Sequence, residues 1–451
     1  MKITFCGAAK TVTGSNYLLE EEGTKILVDC GLNQGPSYCE DLNFEPFKYD
    51  PKEIKAVFIT HAHLDHIGRL PSLVRAGFNG TIYSTPPTKD FAELLLLDSE
   101  HLLREESDKR HKPPLYEAAD ILKVMAKWQK RRYHEKVQVG PFEVEFYDAG
   151  HILGSASVVV RFGGKEMVFS GDLGNTPAPY IHPTEYVPGA QFALVESAYG
   201  DRLHEGVDER KAALRGAIKD TVKNGGVLMV PSFAMERTQD LLYELNSLVE
   251  GGEISRVPVF VDSPLAIKLT AVYQKYASNP EYFNQEAVGL MRQGDAIFDF
   301  PGLHMTLTKE QSKEINGVPG PKVIIAGAGM MNGGRILHHA IRYLPDENST
   351  LLIVGYQAQG SLGQRLLAGE NTVKIFGEEV SVRAKIVQIS GFSAHADQNG
   401  LVKWVREIGS SLEKVFVCQG EEGSETALAV KIKEDLKIDA ATPSLGDEAV
   451  I

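Results

Sequence analysis

Short apolar runs closed by glycine turns or polar residues alternate along residues 1 to about 200. Lys25-Ile26-Leu27-Val28-Asp29-Cys30-Gly31 and Ala56-Val57-Phe58-Ile59-Thr60 are β-branched and aromatic, while Phe142-Glu143-Val144-Glu145-Phe146 alternates with period two. Such side chains fit a pleated, half-buried surface, so these segments predict strands. Residues 86–135 break the pattern. There Phe91-Ala92-Glu93-Leu94-Leu95-Leu96 and Leu122-Lys123-Val124-Met125 predict charged amphipathic helices, with Pro113-Pro114 as a stop between them. The basic cluster 127–132 reads most simply as a solvated helix face, with RNA contact as the minor alternative.

From about 205 to 381 the pattern becomes strand followed by helix. Val227-Leu228-Met229-Val230 leads into a helix over 233–242, Val323-Ile324-Ile325-Ala326 into one over 333–339, and Leu351-Leu352-Ile353-Val354 into one over 362–367. Consecutive βα units imply a parallel sheet with ligands at the carboxyl ends of its strands. Ala384-Lys385-Ile386-Val387 and Lys414-Val415-Phe416-Val417 are strands again, and if both rejoin the first sheet the middle region is an inserted domain.

The chain has 451 residues, enough for two or three domains with proper cores. A net charge of −13 argues against a protein that coats nucleic acid through a general basic surface, but not against a phosphate substrate at a metal site. No apolar run reaches the length of a membrane span, and Met1-Lys2-Ile3-Thr4-Phe5-Cys6-Gly7 is a strand and turn rather than a signal peptide. Cys6, Cys30, Cys39 and Cys418 form no CxxC pair and are expected to be buried free thiols. A cytoplasmic enzyme is the expectation.

His61-Ala62-His63-Leu64-Asp65-His66 follows one predicted strand directly and packs four metal-binding side chains into six residues. A loop leaving a buried strand can throw His61, His63 and Asp65 to one side while His66 begins the next element. Imidazole and carboxylate together suit zinc. A lone histidine is more often a cap or a loop filler; this spacing reverses that balance. Two later strand ends add His151, in Gly150-His151-Ile152-Leu153-Gly154-Ser155, and Asp172, in Val168-Phe169-Ser170-Gly171-Asp172-Leu173-Gly174. Their glycines let the backbone approach a crowded centre, although either segment alone could be a surface turn.

Asp29, the 61–66 motif, His151 and Asp172 together resemble the metallo-β-lactamase fold, an αββα sandwich whose strand-end loops hold two zinc ions. Four further segments narrow the resemblance to the β-CASP branch, nucleases that include the catalytic subunit of the pre-mRNA 3′-end cleavage factor and bacterial and archaeal ribonucleases. They are Leu194-Val195-Glu196-Ser197-Ala198-Tyr199-Gly200-Asp201-Arg202, Pro231-Ser232-Phe233-Ala234-Met235-Glu236-Arg237-Thr238-Gln239, Gly329-Met330-Met331-Asn332-Gly333-Gly334-Arg335 and Gly391-Phe392-Ser393-Ala394-His395-Ala396-Asp397. The resemblance runs the length of the chain. It implies an α/β and α+β architecture, a metallo-β-lactamase domain in two parts, 1–204 and 382–451, around an inserted parallel-sheet β-CASP domain at 205–381.

Carried over by residue, the resemblance implies that His61, His63 and His151 bind one zinc, Asp65 and His66 a second, and Asp172 both. Two zinc ions ~4 Å apart can activate water and stabilise an in-line displacement at phosphorus. Asp65, Glu196 and His395 are the implied catalytic set, His395 protonating the leaving oxygen with Glu196 orienting it or holding it charged. Histidine suits that role because its ordinary pKa is close to working pH. Asp29 is implied as a support that fixes the histidine loop.

The pattern breaks once. Members with a complete second zinc site carry a histidine followed by Gly-Glu after the final strand, where this chain has Val417-Cys418-Gln419-Gly420-Glu421-Glu422. Gln419 thus stands at a ligand position, and an amide oxygen is a weaker zinc ligand than imidazole, so the second ion is expected to be weakened at least as much as by loss of a residue supporting a ligand, roughly 10 to 100-fold. Three explanations stay open: coordination through the amide oxygen or a water, a loosely held second zinc in an active enzyme, or an attenuated or altered form. Cys418 would face the other side of the strand.

Gly327-Ala328-Gly329, Gly333-Gly334-Arg335 and Gly360-Ser361-Leu362-Gly363-Gln364-Arg365 each lie between a strand and a helix, where backbone N–H groups suit phosphate. In the β-CASP context the implied RNA contacts are Arg237, Arg335, Arg365 and Ser393, while His338 and His339 are read as structural. An inserted domain capping the metal face would admit a single strand, so single-stranded RNA held by its backbone and 2′-OH is the expected partner. The expected activity is a zinc-dependent ribonuclease, endonucleolytic with 5′ exonuclease action as a second mode, leaving 3′-hydroxyl and 5′-phosphate ends. The alternative is an RNA-binding scaffold attenuated by Gln419, against which stand six retained ligand positions of seven with Glu196 and His395. A thioester or lactam hydrolase would need neither the large second domain nor the Ser393-to-Asp397 motif. The helices give no clear dimer signal of their own; the resemblance implies a homodimer through the C-terminal regions.

Overall fold

The alternating apolar segments pair into two seven-stranded sheets in the unit formed by Met1–Leu203 and His395–Ile451. The computed structural model describes residues 1–35, 41–110, 113–204, 206–355, 357–358, 360–389 and 393–451; Cys39 and the pair Gly391-Phe392 lie outside the described residues. The first sheet runs in the order Glu448–Val450, Lys2–Phe5, Tyr17–Glu21, Thr24–Val28, Ile54–Phe58, Thr81–Ser84, Trp128–Lys130. The second runs Asp439–Ala441, Lys414–Val417, Phe192–Val195, Lys165–Phe169, Ala156–Phe162, Phe142–Asp148, Val137–Val139.

Phe5, Tyr17 and Phe58 from the first sheet and Phe142, Phe146, Phe169 and Phe416 from the second form one buried core. The Phe5 and Phe416 rings lie 5.2 Å apart across it. Burying each such ring contributes roughly 1.5–3 kcal/mol, which fixes the register of strands whose other face is covered separately. On the outer side of the second sheet, Val415 and Val417 pack with Trp404, Val405, Leu428 and Ile432 of helices Gln398–Ile408 and Glu422–Leu436. Helices Pro86–Arg110 and Ala118–Lys127 cover the first sheet, completing an αββα sandwich. Alternation along Lys414–Val417 continues to Cys418, whose side chain joins the inner core. Among the described residues, no helix is long and apolar enough to cross a membrane.

The second unit, His204–Ala394, is built on a parallel sheet of six strands. Its order is Leu303–Met305, Val259–Asp262, Lys322–Ala326, Val227–Pro231, Thr350–Ile353, Lys385–Gln388, and every ladder is parallel. The three predicted βα units are present, and Leu362–Leu367 is helical over the predicted range. A fourth unit, Val259–Asp262 into Pro264–Tyr276, was not predicted; Ser263 caps its helix by accepting from the Ala266 N–H.

Three expectations need correction. Lys385–Gln388 does not rejoin the first sheet but pairs with Thr350–Ile353 in the second unit, because a short strand with only Ile386 and Val387 apolar is equally compatible with either sheet edge. The helix after Val227–Pro231 starts at Arg237 rather than 233, since Glu236 takes a positive φ of 64° that interrupts helical geometry. Residues 128–130 are an edge strand rather than a helix face: Trp128 is buried and donates to Ser84 Oγ, and Lys130 pairs with Asp90.

Candidate metal centre

Strand-end loops of both sheets in the first unit converge on one cluster. The 61–66 loop is pinned by its backbone: the N–H groups of Ser15, Cys30 and Leu32 donate to the carbonyls of Asp65, His66 and Leu64. Gly31 is required here, because a Cβ would overlap the Asp65 carbonyl. Gly174 plays the same part between two other loops, where a Cβ would meet the Gly150 carbonyl and its N–H donates to Ala149.

His61 Nε2, His63 Nδ1, His151 Nε2 and Asp172 Oδ2 face one another. The His63 nitrogen lies 3.0 Å from that of His61 and 3.3 Å from that of His151, and Asp172 Oδ2 is 3.4 Å and 3.6 Å from the His61 and His151 nitrogens. Zinc bonds of ~2.0–2.1 Å place tetrahedral ligand atoms ~3.4 Å apart, so spacing and chemistry both fit a zinc ion held by these four residues. Burial and repulsion between the rings hold His63 and His151 well below the usual histidine range, as neutral ligands require. Asp172 is held well below the usual carboxylate range despite its burial, by His66, His61 and His395.

A second group shares Asp172. His66 Nε2 lies 3.2 Å from Asp172 Oδ1 and 3.7 Å from Asp65 Oδ2. Asp29 supports it: Oδ2 is 2.7 Å from His66 Nδ1, while Oδ1 accepts from the backbone N–H and hydroxyl of Thr60. Thr60 also reaches His61 Nδ1 at 3.1 Å, a role the sequence reading missed because a threonine ending a strand is ordinary. Gln419 projects its amide nitrogen into this group, 2.8 Å from His66 Nε2 and donating to Asp172 Oδ1. This set does not fit a second ion as the first set fits one, since an amide N–H group stands against two of its ligand atoms.

Glu196 and His395 adjoin Asp172. Glu196 is buried, with Oε1 accepting from the Leu173 N–H and Oε2 from the Ala198 N–H, and both oxygens lie 3.2 Å from His395 Nδ1. His395 pairs in a β-bridge with Gly174, and Ala396 donates to the Leu173 carbonyl. Its side chain keeps 24 % exposure, so the ring can meet a substrate. Although burial disfavours its charge, the Glu196 and Asp172 carboxylates push the His395 pKa up to about 10.

Of the arginines expected to contact substrate, Arg335 and Arg365 have carboxylate partners within the second unit. Arg335 donates to Asp262 and to the carbonyls of Thr306 and Leu307, and Asp262 also receives His339, Ser312 and Thr306. This cluster was not foreseen, since a carboxylate ending a strand names no partner. Arg365 forms a paired interaction with Glu370, and Arg237 is buried beside Glu236, its Nη1 3.7 Å from the carboxylate. Ser393 is buried.

The sequence matches the Metallo-beta-lactamase superfamily over residues 10–215, the Beta-Casp domain over 238–366 and the Zn-dependent metallo-hydrolase RNA specificity domain over 379–443. It is 38% identical to Ribonuclease TTHA0252 of Thermus thermophilus over 428 residues, 95% of each chain. Identity to Transcription termination factor FttA of Methanosarcina mazei is 31%, covering 97% of this chain and 70% of that one, and identity to an RNase J-like protein of Methanocaldococcus jannaschii is 30%, covering 98% of both. A solved structure of a protein of unknown function from Enterococcus faecalis V583 superposes with a TM-score of 0.59 at 14% identity, covering 100% and 99% of the two chains, and speaks to the fold alone. The αββα sandwich interrupted by a parallel-sheet unit, the converging histidines and these matches agree: the chain belongs to the β-CASP branch of the metallo-β-lactamase superfamily.

Proposed function

We propose that the protein is a zinc-dependent ribonuclease that hydrolyses phosphodiester bonds of single-stranded RNA, endonucleolytically and, as a second mode, from the 5′ end. The observation that carries this reading is the four-donor set His61, His63, His151 and Asp172 standing directly beside the Glu196–His395 pair. The match of residues 379–443 to an RNA specificity domain and the ribonuclease names of two relatives support RNA as substrate. A cytoplasmic setting is part of this reading, and the free thiols of Cys6, Cys30 and Cys418 are compatible with its reducing conditions.

Zinc held by His61, His63, His151 and Asp172 would supply Lewis-acid polarisation of a phosphoryl oxygen and an activated water. The chain's own part is positioning and proton delivery. Asp172 closes the donor set and links it to His66. Asp29 and Thr60 fix the tautomer and tilt of the rings on the 61–66 loop. Glu196 takes the Nδ1 side of His395, leaving Nε2–H to deliver a proton to the leaving oxygen. Asp65 stands with His66 on the side where a second zinc would lie.

Two measurements check this division of labour. Products of single-stranded RNA should carry 3′-hydroxyl and 5′-phosphate ends; 2′,3′-cyclic phosphates would point to attack by the ribose and reject the hydrolytic route. Glu196→Gln should lower the His395 pKa, because a carboxylate that favours the charged ring is gone. The acidic form is then lost at lower pH, and the alkaline limb of the kcat/KM profile moves down by about 1–3 units. An unmoved limb would separate Glu196 from the proton donor.

A further inference from the structure

We propose that the Gln419 amide is a hydrogen-bonding stand-in for the second ion, so that this chain holds one zinc tightly and closes its second ligand group with its own side chain. The proposal rests on the hydrolase reading for the first zinc and departs from it in the number of ions. His66 Nδ1 lies 2.7 Å from Asp29 Oδ2, which assigns the ring proton to that nitrogen and leaves a single lone pair on Nε2. The Gln419 amide nitrogen is 2.8 Å from Nε2 and also donates to Asp172 Oδ1. Two amide hydrogens thus meet two acceptors. With the ring proton on Nδ1, turning the amide over would set its oxygen against the same two acceptors with no hydrogen between them. The lone pair of His66 cannot serve the amide and a metal together.

The backbone holds Gln419 in this place. Its φ is +56°, a left-handed conformation disfavoured for a residue with a side chain, and it persists because the N–H donates to the Ala8 carbonyl at 2.8 Å while the carbonyl accepts from Ser197. The residue is 2 % exposed, so its side chain has no route into solvent.

Zinc titration of the metal-free full chain by calorimetry, with zinc content measured after desalting, tests the proposal without reference to catalysis. The wild type should retain one zinc per chain. Gln419→Ala should tighten the second ion by about tenfold, because the competing amide hydrogens are gone. Gln419→His should tighten it by a further 10 to 100-fold, so that two zinc ions survive desalting. Retention of the first zinc shows that each variant is folded at the site. Two zinc ions in the desalted wild type, or a second ion weakened by Gln419→Ala, would overturn the proposal, the latter by making the amide oxygen a ligand. Either result leaves the hydrolase reading standing, whereas wild type that binds no zinc removes both.

Discussion

Asp172→Ala is expected to release the zinc and to reduce RNA cleavage by about 10³-fold or more. One carboxylate serves both halves of the centre: Oδ2 faces His61 and His151, and Oδ1 faces His66 and Gln419. Without it the first set keeps three imidazoles and no negative charge to balance a buried divalent cation. A catalytic metal supplies several kcal/mol of charge stabilisation, and about 1.4 kcal/mol is tenfold in rate, which sets the size of the loss. Zinc content after desalting and turnover on labelled RNA are the two readouts. Full zinc content in a folded variant would refute the shared role of Asp172.

His395→Ala should lower kcat by about 10²–10⁴-fold, the usual contribution of a positioned general acid, while leaving zinc content unchanged. The two readouts move apart because the ring is outside the four-donor set, meeting it at Asp172, 3.8 Å away, and at the His151 ring, 4.6 Å between centroids. Single-turnover cleavage at saturating RNA measures the chemical step directly. A rate within a few-fold of wild type, with zinc in place, would assign the leaving-group proton to another donor.

Much of this centre was legible because it is local in sequence. His61, His63, Asp65 and His66 share one strand-end loop, and His151 and Asp172 are marked by the glycines that let their turns close on one another. Gln419 was visible as a departure from a pattern, but whether its amide offers oxygen or nitrogen depends on His66, 353 residues away, whose lone pair is set in turn by Asp29. The partners of the arginines were illegible for a related reason. Arg335 follows a glycine-rich turn that suits phosphate, yet its guanidinium belongs to Asp262, 73 residues earlier in the chain. A charged side chain announces a need for a partner without naming it. The fold divides in the same way: period and glycine turns identify strands, whereas the sheet that receives Lys385–Gln388 is decided by which edge lies open in three dimensions.

The most direct test of the account is cleavage of 5′-labelled single-stranded RNA by wild-type protein whose zinc content is measured on the same sample. Protein carrying one zinc per chain should cut the RNA, lose that activity with its zinc under a chelator and regain it when zinc is restored. Intact RNA after prolonged incubation with fully zinc-loaded, folded protein would contradict it.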